Sequence, residues 1–183
     1  AVDFLELLGT PAYKIASFEC TDLQLIRKVA ETKKPLIIST GMANKDEISD
    51  AVETAQKYGS GDLILLHCVS AYPADPEEYN LKTIGHMSST FNVNVGLSDH
   101  TTSNVTSIAS VALGAVIIEK HFTLDRNGGG PDDSFSLEEE GLKALCVESK
   151  TAWATIGSAN YTQTLNEQSN IKFRRSLYFI KDI

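Results

Sequence analysis

The sequence predicts an α/β fold built on a parallel sheet, and three observations predict it. Short β-rich runs recur along the chain, and a stretch with apolar residues at helical spacing follows each one. The runs L-I-L-L (63–66) and V-I-I (116–118) are apolar without alternation, as strands covered on both faces are. Each run also ends in polar side chains. Parallel neighbours need a crossover, and a helix between successive strands supplies it.

The opening A-V-D-F-L-E-L-L-G has helical spacing and a glycine stop, and is read as the close of a helix that starts upstream. The first strand is expected at Ala12–Ala16, with a helix from about Asp22 to Lys33. Thr21 and Gln24 fit a capping box there, and Leu23, Ile26 and Val29 form its apolar stripe. The second strand, Pro35–Ser39, is followed by a helix beginning near Lys45 behind Asn44. The third, Leu63–Cys68, leads through a proline-bearing loop into a helix over Leu81–Thr90. The fourth is Val93–Leu97, with a helix from Asn104 to Leu113. The fifth is Val116–Lys120, followed by a glycine-rich loop and a long helix from Leu137 towards Ile156.

Two architectures carry this rhythm: an open doubly wound sheet and a TIM (β/α)8-type barrel. A dinucleotide-binding sheet would place G-x-G-x-x-G after an early strand, and none occurs. Instead the strand ends carry Ser17 and Glu19, Ser39 and Thr40, His67 and Ser70, Ser98 to His100, and Glu119 to His121. Polar groups at every carboxyl end suit a barrel, whose active site is built on that face. A closed barrel takes eight units and about 250 residues, and five units are visible here. The expected organisation is a partial barrel over 1–157 and a segment leading out of it over 158–183.

Composition narrows the function. The 183 residues are 42% hydrophobic and 22% charged, within the range of one globular domain. A net charge of -8 argues against a phosphate-gripping nucleic-acid binder. No apolar run approaches the roughly 18 residues of a membrane span, and the N-terminus lacks a signal-peptide layout. Cys20, Cys68 and Cys146 are odd in number and widely spaced, which points to a reducing cytoplasm.

Alternate residues of a strand share a face, so Glu119 pairs with His121 and Ser98 with His100. If these strands are neighbours, His100 and His121 converge, either on a shared metal ion or as two hydrogen-bonded buried histidines. His67 has a weaker claim, and His86 is read as a surface residue of a helix. Lys14, inside a strand and so read as buried, needs an anionic partner: a structural carboxylate, or a bound phosphate or carboxylate. Ser17, Ser39, Thr40 and Ser98 supply hydroxyls to such an anion, or serve as turn and cap residues. The loop N-G-G-G-P-D-D-S-F-S (127–136) is read as a linker, or as a lid in which Asp132 or Asp133 contacts a substrate.

The motifs A-Y-K-I-A-S-F-E, I-S-T-G-M, L-L-H-C-V-S-A-Y-P, V-G-L-S-D-H-T, I-E-K-H-F-T-L-D and G-G-P-D-D-S-F-S resemble, in this order, those of the sialic acid synthase family. The tail F-R-R-S-L-Y-F-I-K-D-I resembles the segment leading out of that family's barrel. K-I-A-S-F-E and the S-x-Y-P loop look most like the pseudaminic acid synthase branch. The N-acetylneuraminate branch has K-I-G-S-G-E, and Asn where this chain has Ser70.

The resemblance implies condensation of phosphoenolpyruvate with an N-acetylated amino sugar, giving a nonulosonic (sialic-type) acid and phosphate. It implies a divalent ion, Mn2+ or Mg2+, held by His100 and His121 and polarising the sugar aldehyde. Lys14, Ser17 and Ser98 match phosphate-contacting positions, with Ser39 nearby and Ser70 at the position of the other branch's Asn. Glu19, Tyr72 and Asp132 match sugar-contacting positions. It further implies a homodimer, preceding barrel strands and a following antifreeze-like domain, so the 183 residues alone are expected to be inactive. The alternatives are an N-acetylneuraminate or legionaminate synthase, a metal-dependent aldolase on the same fold, and a non-catalytic scaffold or sugar-binding remnant.

Overall fold

The computed structural model describes residues 1–178, 180 and 181. Phe179, Asp182 and Ile183 of the tail motif lie outside the described residues.

A short helix α1 (Val2–Leu7) precedes five strand–helix units. They run β1 (Tyr13–Ile15), α2 (Leu23–Ala30), β2 (Leu36–Ser39), α3 (Lys45–Tyr58), β3 (Leu63–Cys68), α4 (Thr83–Phe91), β4 (Asn94–Asp99), α5 (Val105–Ala112), β5 (Ile118–Lys120) and α6 (Glu139–Ile156). A one-turn helix α7 (Leu165–Gln168) follows. The strands form one parallel sheet in chain order, β1-β2-β3-β4-β5. All five expected units are present. The strand ends differ from the sequence reading by one or two residues, with β4 reaching Asp99 because its pairing with β5 continues to the Asp99–Lys120 rung.

Register separates two faces. Tyr13, Leu36, Leu63, Val95, Leu97 and Ile118 point outward beneath the helices. With Ile26, Val29, Ala51, Val52, Ile84 and Met87 the outward residues of β1 to β4 build the main core. The opposite face carries Lys14, Ser39, Cys68, Ser98 and Glu119. Lys14 on β1 and Glu119 on β5 meet at 3.0 Å across that face. Four strand spacings laid flat would separate their backbones by roughly 19 Å. The sheet therefore curls towards a barrel, with the polar residues on its concave side. Gly96 permits the tight curve between β4 and β5, since a Cβ there would lie 2.5 Å from the Ile117 carbonyl oxygen.

Helix starts follow local chemistry. Asn44 accepts from the Asp46 and Glu47 amides while Glu47 accepts from the Asn44 amide at 2.8 Å, a reciprocal cap for α3. For α2 the expected Thr21–Gln24 box is replaced by Asp22, whose Oδ1 accepts from the Leu25 amide at 2.9 Å. The 3₁₀ turn Ser17–Glu19 carries the chain one residue further before helical backbone begins. Among the described residues no helix is long and apolar enough to cross a membrane.

Candidate active site

The concave face gathers its groups at the carboxyl ends of the strands, where loops replace backbone pairing. Lys14 is not buried as its strand position suggested: its side chain is 36% exposed and faces the open interior. Its partner is the Glu119 carboxylate, which also accepts from Ser98 Oγ at 2.9 Å. The structural carboxylate that the sequence allows for this ammonium is therefore Glu119.

Beside this pair lies a crowded cradle of small groups. Ser17 Oγ accepts from the Gly41 amide at 3.1 Å. A Cβ on Gly41 would collide with Ser70 Oγ and lie 2.8 Å from Ser17 Oγ. Ser39 is 1% exposed, and its Oγ has no hydrogen-bond partner. A buried hydroxyl left unpaired is costly, so an oxygen of a bound molecule would complete it.

His100 and His121 stand beside the cradle with ring centroids 5.3 Å apart. His100 Nδ1 lies 2.8 Å from the Val69 carbonyl, which makes that nitrogen the proton donor and leaves the Nε2 lone pair for another partner. Ser98 Oγ is 3.4 Å from this Nε2. The His100 backbone is fixed as well: its amide donates to the Tyr79 hydroxyl at 2.7 Å, and that hydroxyl donates to the Ser98 carbonyl. Tyr72 lies tilted over His100 at 4.3 Å and meets His121 edge-on at 5.9 Å. Phe135 closes the cluster 5.2 Å from His121. Asp132 Oδ2 is 3.6 Å from His121 Nδ1.

Burial holds the His121 imidazole below the ordinary histidine value, and the neighbouring His100 reinforces this. Burial pulls His100 the same way, but Cys68, the Val69 carbonyl and Glu119 outweigh it and hold its pKa above the ordinary value. The arrangement offers two imidazoles, nearby carboxylates and an open side. That donor set fits a divalent ion whose remaining positions are left to water or substrate oxygens. Among the described residues no three His, Cys, Asp or Glu side chains come together as a closed metal site.

Not every candidate joins this cluster. Glu19 turns back to accept from the Ala16 amide at 3.0 Å, capping its own turn at the rim. His67 points outward, where its Nε2 contacts the Tyr79 carbonyl, and His86 is exposed on α4. Asp133 is occupied by Thr123 Oγ1 at 2.6 Å and the Gly130 amide at 2.7 Å, so it shapes the loop and leaves Asp132 to face His121. Glu119, Gly41, Tyr79 and Phe135 were outside the expected site. Alternation along β5 already put Glu119 beside His121, whereas nothing local marked Tyr79 or Phe135. A cavity of about 270 Å³ lies between α3 and α4, lined by Met42, Lys45, His67 and Met87, and does not include His100 or His121.

A curled parallel sheet with its polar cluster at the strand carboxyl ends defines a barrel-type enzyme site. The chain belongs to the NeuB family, whose model matches residues 1–161. It is 44% identical over 186 residues to the N,N'-diacetyllegionaminic acid synthase of Campylobacter jejuni, covering 100% of this chain and 56% of that protein. It is 41% identical over 186 residues to the pseudaminic acid synthase of Helicobacter pylori, covering 100% of this chain and 54% of that protein. The crystal structure of an N-acetylneuraminic acid synthetase from Leptospira borgpetersenii, in complex with citrate, superposes with a TM-score of 0.85 at 34% identity, over 96% of this chain and 61% of that one. The chain spans about half the length of the curated relatives it matches.

Proposed function

We propose that the protein carrying this chain condenses phosphoenolpyruvate with a 2,4-diacetamido-2,4,6-trideoxyhexose, giving a pseudaminic-type nonulosonic acid and phosphate. The observation that supports this most is the meeting, on one concave face, of the Lys14 ammonium, the serine hydroxyls around Gly41 and the His100–His121 pair. An anion and an ion-bound carbonyl can be held side by side there. In this reading Lys14, Ser17, Ser39, Ser70 and Ser98 bind the phosphate and carboxylate of phosphoenolpyruvate. His100 and His121 hold a divalent ion, Mn2+ or Mg2+. When bound, that ion polarises the sugar aldehyde.

The chain's own groups do the rest. Tyr72 and Asp132 orient the acceptor sugar from within the cluster and Glu19 from its rim, with Tyr72 already stacked on His100. The enol C3 forms a bond to the aldehyde carbon, whose oxygen gains a proton. Water adds at C2 with loss of one proton. The C2 hydroxyl then gives up its proton to the departing phosphate as C2=O forms, and the C2–oxygen bond to phosphate breaks with its electrons leaving on the phosphate. Glu119, beside Lys14 and Ser98, is the carboxylate placed to take the proton that the water loses. Residues 1–157 supply the barrel part of this site and 158–183 the way out of it. The working protein is a cytoplasmic homodimer.

A second reading, diacetyllegionaminate synthesis, is favoured by the 44% identity to the Campylobacter enzyme of that name. Incubating the intact natural protein with phosphoenolpyruvate and each stereoisomeric diacetamido-trideoxyhexose, or N-acetylmannosamine, decides among them. Phosphate release with none of these sugars would refute the synthase reading.

A further inference from the structure

We propose that the buried Asp99–Lys120 ion pair is a positioning pair, fixing the spacing of His100 and His121 and so setting the affinity of that two-imidazole site for a divalent ion. The inference rests on the preceding reading that the two imidazoles share an ion.

Strand alternation turns Asp99 and Lys120 to the outer face, behind the site. Their side chains are 0% and 3% exposed. The Lys120 ammonium donates to Asp99 Oδ2, the Thr101 carbonyl and the Ser103 carbonyl, each at 2.8 Å. Asp99 is equally occupied: Oδ1 accepts from the Thr101 amide at 2.8 Å, and Oδ2 also accepts from Ser107 Oγ. Every strong donor and acceptor of the pair is used. Burying two charges gives little net stability compared with apolar residues of the same volume, so folding alone does not call for this arrangement.

Its location supplies a reason. Asp99 and Lys120 form the last rung of the β4–β5 ladder, and His100 and His121 are the next residues on each strand. Beyond that rung the two backbones bond to different connections, His100 to the one between β3 and α4 and His121 to the one after β5. The His100 amide donates to Tyr79, while the His121 carbonyl accepts from the Leu137 amide at 2.9 Å. Among the described residues, the hydrogen bonds that reach from β5 to the chain after His100 are those of Lys120, to Thr101 and Ser103. One ammonium thus grips both flanks of His100 while its own backbone adjoins His121. Loosening it lets the imidazoles separate, although it touches neither.

The test measures Mn2+ affinity of the intact natural protein, following free Mn2+ by electron paramagnetic resonance. Lys120→Met and Asp99→Asn should each weaken binding by about 10-fold or more, the scale of an outer-shell loss. Ser107→Ala, which removes a hydrogen bond from the same carboxylate but leaves the strand tie, should bind as the wild type does. Asp99→Asn keeps the shape and decides the matter if Lys120→Met does not fold. Wild-type affinity in Asp99→Asn, with binding lost in His100→Ala, would overturn the positioning role alone. An equal loss in Ser107→Ala would also overturn it, as a general packing effect. Unchanged Mn2+ binding in His100→Ala would instead defeat the two-imidazole reading beneath it.

Discussion

Lys14 and Glu119 belong to the first and last strands of the sheet, yet their side chains meet at 3.0 Å. The contact couples the end of the site proposed to bind the anion to the end that carries the histidines. Replacing either partner should therefore disturb both. Lys14→Met and Glu119→Gln are each expected to lower kcat/KM by about 100-fold or more, the scale of losing one preorganised electrostatic group. The double variant should lose less than the sum, because the two charges act on one another. Strict additivity in a double-mutant cycle would show that the contact has no part in the chemistry.

Gly41 leaves no room for a methyl group between Ser17 and Ser70. Gly41→Ala should raise KM for phosphoenolpyruvate while leaving the affinity for Mn2+ unchanged. Isothermal titration with each ligand separates the two effects. A variant that binds phosphoenolpyruvate normally would remove the cradle from the anion site.

His100→Ala and His121→Ala should each abolish ion-dependent synthesis. Binding of phosphoenolpyruvate, which the proposed function gives to Lys14 and the serines, should survive. Chelation with EDTA should reproduce the variants' loss in the wild type, and added Mn2+ should reverse it. A chelated enzyme that retains full turnover would contradict the role given to the pair.

The far end of the sheet offers a pH test. Burial, followed by the Glu6 carboxylate 2.6 Å away, pushes the Tyr13 phenol up to about 12. A phenol whose pKa is raised on folding favours the folded state while it stays neutral. That stability is complete below the unfolded value of about 10 and is lost as pH rises towards the folded one. Chemical denaturation across this window should show a fall that Tyr13→Phe abolishes. An identical alkaline profile in Tyr13→Phe would exclude the phenol as its source.

Asn44 caps α3 with two accepted bonds. Asn44→Ala should cost about 1 kcal/mol of unfolding free energy, and Asn44→Asp much less. Equal stability of all three proteins in urea would mean that the cap is dispensable.

Much of this arrangement was legible in the sequence because it follows from period-two alternation and from apolar strands joined by helices. The pairing of Glu119 with His121 and of Ser98 with His100 needed no coordinates. Contacts made by chain far from the strand ends were not legible. Tyr79 holds His100 from a loop 21 residues earlier, and Phe135 reaches His121 from a loop that reads as flexible by its glycines. The solvent access of Lys14 was misjudged because a strand position says which face a side chain takes, and the curl of the sheet decides how open that face is. Thr21 failed as a cap for a local reason: the Asp22 amide bonds back to the Glu19 carbonyl, so Thr21 lies inside that turn and Asp22 stands at the helix start.

Strand β5 interleaves opposite assignments at single-residue spacing, with Glu119 and His121 turned inward and Lys120 turned outward. One residue inserted between Gly114 and Ile118 would exchange all three at once, sending an ammonium into the concave face and the carboxylate and imidazole into the packing behind it. This segment should therefore be intolerant of length changes even where it accepts substitutions. The stretch between Gly157 and Thr164, exposed throughout and clear of the ladder, should absorb extra residues freely.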